Sequence, residues 1–108
     1  MSREERVARN EALFREVNER IRDVNEDAPA ASETDYVCEC GDPGCTEPVS
    51  LTEVEYEEVR AVATHFVVRP GHVVPDVEVV VAHNDRFDVV RKNEPQAARV
   101  AVREDPRA

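Results

Sequence analysis

Eight consecutive residues, C-E-C-G-D-P-G-C from Cys38 to Cys45, hold all three cysteines of the chain, and no other stretch narrows so far what the chain can become. A disulfide between Cys38 and Cys40 would close a short, strained ring, and a bond from Cys45 to either partner would leave one thiol free. The N-terminal residues are charged from Arg3 onward, and no apolar run reaches the length of a signal core or a membrane span, so the expected compartment is the cytoplasm. Thiols stay reduced there, and clustered reduced cysteines read first as metal ligands. Zinc takes four soft or borderline ligands in a tetrahedron with sulfur at about 2.3 Å, which one chain supplies only by reversing tightly. Gly41, Asp42, Pro43 and Gly44 are residues that make such a reversal.

The fourth ligand has to come from His65, His72 or His83, or else from an acidic side chain or water. His72 lies in R-P-G-H-V-V-P, between prolines that hold its loop, so little entropy is lost in fixing it. His65 falls near the end of a helix whose carbonyls it would meet, and His83 fits an ordinary hairpin loop. The expected set is therefore Cys38, Cys40, Cys45 and His72 around Zn2+. Three thiolates leave the ion with one net negative charge, which favours a neutral histidine over a further anion. Such a set is closed and structural, whereas catalytic zinc more often keeps a water in the fourth position.

The string from Cys38 to Cys45 resembles the zinc knuckle that follows SET methyltransferase domains, on Cys38, Cys40, Gly41 and Cys45. Nothing of the SET catalytic domain accompanies it, so the resemblance implies zinc geometry and not methyl transfer. From Arg9 to about Lys92 the chain is also similar to a group of small bacterial zinc-knuckle proteins. They join an A-R-N-E-A-L-F-R-E-V-N-E-R-I-like helix to C-E-C-G…C, a Y…V-R helix, a P-G-H loop and a hydrophobic C-terminal hairpin. That resemblance implies that Cys38, Cys40, Cys45 and His72 act together, and it implies no particular activity.

The remaining sequence predicts an α+β fold. Ser2 and Glu5 form a capping box that opens a long helix running to about Asp27. Val7, Phe14 and Ile21 recur along it every seven residues, with Asn10, Val17 and Val24 offset by three. This stripe suits a helix laid on its own domain, and it also suits a homodimer paired through the helix with Asn10 fixing register. Residues 28–35 read as a linker, 36–92 as a zinc-stabilised α+β domain, and 93–108 as a helical tail. Within 36–92, strands at Tyr36–Cys40 and Glu47–Leu51 form a hairpin with the knuckle at its tip. Thr52 and Glu55 cap a second helix that buries Val54, Tyr56, Val59 and Val62 and fades near Thr64. A strand then stops at Pro70-Gly71, and a hairpin turns through His83-Asn84-Asp85-Arg86, although Val77–Ala82 also admits a helical turn. Pro95 opens a short, weakly anchored C-terminal helix that ends before Pro106.

With aromatics at only 5% and no Trp, the core must rest on Val and Ala, with Phe14, Phe66, Phe87, Tyr36 and Tyr56 as anchors. A core of small side chains gains most from a metal staple. Twenty-four acids against fourteen bases give a net charge of −10, which repels a phosphate backbone and argues against nucleic acid as a partner. No hydrolase, zinc-protease, phosphate-loop or dinucleotide motif occurs. The sequence thus reads as a non-enzymatic zinc-binding interaction or regulatory module with a protein partner and no membrane. A zinc-thiolate redox switch and a zinc hydrolase with an open fourth position are its rivals.

Overall fold

The computed structural model describes residues 2–29, 31–42, 44–45 and 47–107. The order of elements is α1 (Arg3–Val24), β1 (Glu33–Val37), β2 (Pro48–Thr52), α2 (Glu53–Arg60), β3 (His65–Val68), β4 (Glu78–His83), β5 (Asp88–Lys92) and α3 (Pro95–Arg103). The fold is α+β as expected, with its strands divided between two antiparallel sheets. β1 pairs with β2, and β5 lies between β3 and β4.

Local chemistry sets the ends of these elements. The Ser2 hydroxyl accepts from the Glu5 N–H, and Thr52 and Glu55 form the full reciprocal box at α2. Pro95 stands in the first turn of α3, whose free amides at Gln96 and Ala97 bond the Glu94 carboxylate. β1 begins three residues earlier than the sequence suggests and stops at Val37, so Cys38 to Cys40 continue past the ladder. The ambiguous run after Val77 is strand, because β5 gives its backbone a ladder partner along Glu78–His83.

The buried face of α1 differs from the expected stripe. Ala8, Glu11, Ala12, Arg15 and Asn18 face inward, Val17 is exposed, and Val24 is 84% exposed. Phe14 is only half-buried. Small residues at Ala8, Ala12, Ala97 and Ala101 let α1 and α3 pack closely, so α3 is firmly seated and not weakly anchored. Arg15 spans the gap beneath them: its guanidinium donates to Ala63 O and Ala101 O, both at 2.6 Å, and lies 4.2 Å from the Phe66 ring centre. Lys92, the chain's only lysine, is fully buried and bridges Glu11 and Glu78. The ladder puts Phe66, Val90, Lys92 and Glu78 on the sheet face that α1 covers.

On the other side, Tyr36 and Tyr56 stack with ring centres 4.5 Å apart and join α2 to the first hairpin. α2 ends at Arg60 rather than near Thr64, and it buries Tyr56, Val59 and Arg60. Val54 and Val62 point to solvent, because Arg60 takes the inward position between Glu19 and Asp105.

Candidate metal centre

Past the end of β1, Cys38 and Cys40 turn their thiols into one cluster, whereas the Glu39 side chain turns away from it toward Asn18 and Val67. Glu39 thereby enters the core. Its N–H donates to Val67 O at 2.9 Å, and its carboxylate accepts from Val67 N–H at 2.9 Å and from Asn18 Nδ2 at 2.8 Å. The side chain completes a ladder rung that a second strand would otherwise supply, and so ties the knuckle to the outer edge of β3. Burial pushes the carboxyl up to about 7, against the pull of Asn18, Val67 and Arg15.

After Cys40 the backbone turns at Gly41, where φ is +78°. Gly41 is pressed onto α1: a Cβ there would lie 2.8 Å from Glu11 Cγ and 3.0 Å from Val7 O. Asn10 Nδ2 donates to Gly41 O at 3.3 Å and so holds the knuckle to α1. Asp42 closes the loop by accepting from Gly44 N–H through Oδ1 and from Cys45 N–H through its carbonyl, each at 2.9 Å. Gly44 has no positive φ, and Pro43 lies outside the described residues.

The second half of the centre is a turn in which His72 N–H donates to Arg69 O at 3.0 Å. Pro70 and Gly71, the latter at φ +85°, occupy the two central positions that such a turn prefers. Asp88 steadies it by accepting from Gly71 N–H at 3.0 Å, while its other oxygen holds His83 Nδ1.

These two loops bring Cys38, Cys40, Cys45 and His72 together, with one ligand atom from each lying within 4.8 Å of all the others. His72 Nδ1 is 3.6 Å from Cys38 Sγ and 3.7 Å from Cys45 Sγ. The three thiols are free, and the group can hold a metal ion. Arg69 N–H donates to Cys38 Sγ at 3.2 Å, and the Asp42 backbone N–H bonds Cys40 Sγ. Burial raises the thiols of Cys38 and Cys40 above the usual range against these two donors, and the neighbouring thiols raise Cys38 further. In the absence of a cation the thiols of Cys38 and Cys40 therefore keep their protons, which a bound cation would displace.

His65 and His83 do not join the group. His65 opens β3, where burial lowers its pKa, and His83 ends β4 against Asp88. Sequence reasoning missed Glu39, Asn18, Asn10 and Asp88, which position the loops without supplying ligands. Only Glu39 left a readable trace, in the alternation of C-E-C.

Comparison of the chain with protein-family models, with curated proteins and with solved structures finds no match. Among the described residues, no helix is long and apolar enough to cross a membrane.

Proposed function

We propose that this chain is a cytoplasmic zinc-binding module whose ion is structural and whose role is non-enzymatic, through contact with a protein partner. The observation that carries the zinc reading is the spacing of the donors. Zinc–sulfur bonds of about 2.3 Å and a zinc–nitrogen bond of about 2.0–2.1 Å at tetrahedral angles require sulfur and nitrogen about 3.6 Å apart. The two sulfur–nitrogen separations are 3.6 and 3.7 Å. Three sulfurs and one nitrogen suit zinc, whereas magnesium and calcium take oxygen.

With His72 as the fourth donor the shell closes on protein atoms alone, which supports a structural ion over a hydrolytic one. Zinc would tie the first hairpin to the Arg69–His72 turn, and a site of this kind contributes up to ~10 kcal/mol of binding that is also folding energy. The net charge of −10 supports a partner with basic surface and disfavours nucleic acid.

The test is metal content of the tag-free chain, paired with unfolding before and after chelation. One zinc per chain and a marked loss of stability on chelation are expected. A metal ratio near zero, with unfolding unchanged by the chelator, would sink the reading.

A further inference from the structure

The two outer strands of the three-stranded sheet differ. The edge at β3 is closed by the backbone and carboxylate of Glu39. Among the described residues, β4 is paired with β5 alone. Val79, Val80 and Val81 on β4 are 37%, 43% and 41% exposed, so the strand shows apolar side chains on both faces of the sheet. An open edge bearing several valines is a template for another strand, and folded proteins usually blunt it with lysine, proline or a cover. On β4 the irregularity between Val80 and Ala82 and the inward-pointing Glu78 are such devices, and they leave Val79, Val80 and Val81 exposed.

Beside this edge lies a cleft of about 410 Å³ between α2 and the sheet face that carries Val89. Val59, Val81, Phe87 and Val89 make its apolar floor. On its rim Glu55 is paired with Arg86, whereas Glu58 has no ion pair among the described residues.

We propose that β4 and the adjoining cleft form a docking site for an extended cationic peptide segment of a partner protein, added to the sheet as a further strand. Strand addition takes its affinity from main-chain hydrogen bonds and its selectivity from pockets for alternate side chains. Apolar side chains at alternate positions would enter the cleft, and Arg or Lys between them would point to the other face of the sheet, on the side of Val80, drawn by the negative field of the whole chain. Charge decides between occupants. A second copy brings another −10, so edge-to-edge pairing of this chain is opposed, whereas a basic segment is attracted. Arg91 lies opposite Val79 and Arg86 holds Glu55 at the cleft, and these two bases do not offset the −10 of the whole chain. The inference goes beyond the metal site and uses none of its ligands, so metal content of the same preparation separates failure of one from failure of the other.

The probe is a synthetic peptide of alternating arginine and valine as long as β4, titrated into the full chain at low salt. Saturable binding is expected, with amide shifts confined to β4 and the cleft. N-methylation of alternate peptide nitrogens should weaken binding by about tenfold or more, as should Val80→Lys at an exposed position that leaves the fold intact. A glutamate–valine peptide should not bind. No saturable binding would overturn the proposal, as would binding indifferent to N-methylation and to Val80→Lys. Sedimentation showing a dimer that Val80→Lys makes monomeric would also overturn it, by giving the edge to a second copy.

Discussion

Replacing Gly41 by alanine probes the contact on which the knuckle rests, and Gly71→Ala supplies its control. Both glycines have positive φ, +78° and +85°. Holding an L-residue there costs roughly 1–2 kcal/mol, offset by the ~0.4–1 kcal/mol that alanine removes from the entropy of the unfolded chain. The space around them differs. A methyl on Gly71 would meet no atom within 4 Å, so its cost stays at about 1 kcal/mol. At Gly41 the methyl would meet Glu11 Cγ, Val7 O and Val7 Cγ1 at 2.8, 3.0 and 3.1 Å. One of these is backbone, and Glu11 is fully buried against Lys92, so neither yields cheaply. Overpacking of that kind adds roughly 1–3 kcal/mol, for a total of about 2–4 kcal/mol. Urea unfolding of both variants in chelator measures this directly as a shift in midpoint at constant slope. Losses that agree within ~0.5 kcal/mol would refute the close-approach argument and leave only the backbone term.

Other residues give independent readouts. Lys92→Met leaves Glu11 and Glu78 buried without their cation and should cost about 3–5 kcal/mol near neutral pH. Burial already raises the Glu11 carboxyl, so the folded variant prefers the protonated acid and its loss should shrink as pH falls; denaturation giving the same loss at every pH would contradict this. His72→Ala should weaken zinc binding by about a hundredfold or more, while His65→Ala and His83→Ala leave it unchanged in a competitive zinc titration. The Arg86 guanidinium holds the Glu55 carboxyl at about 2, below its ordinary 4.5. That pair therefore stabilises the fold above the ordinary value and loses its effect as pH falls through about 2. Because the pair is partly exposed, Glu55→Gln should cost only about 1 kcal/mol at neutral pH and nothing in strong acid, read by thermal melts.

The features legible in the sequence are those decided by neighbours along the chain. Ser2, the Thr52–Glu55 box, Pro70-Gly71 and Pro95 each fix a turn or a helix end through their own backbone chemistry, and all act where expected. The donors were legible for a similar reason, since three thiols in one loop leave few chemical uses. The inward face of α1 was not. Hydrophobic spacing favours Val17 and Val24, yet Glu11, Arg15 and Asn18 turn inward because Lys92, the Ala63 and Ala101 carbonyls, Val37 and Glu39 wait there. Those partners come from distant parts of the chain, and no local pattern announces them. Alanine hides a packing face as well, since Ala8 and Ala12 matter through the close approach they permit and not through the area they bury.

The seclusion of Lys92 has a consequence for covalent chemistry. The chain has a single ε-amine, and it sits with no solvent exposure between two carboxylates. Acylating reagents, amine-directed cross-linkers and lysine-modifying enzymes find no side-chain target on the native surface. Modification at Lys92 therefore proceeds only through opening of the fold, and its rate clocks how often the core is breached.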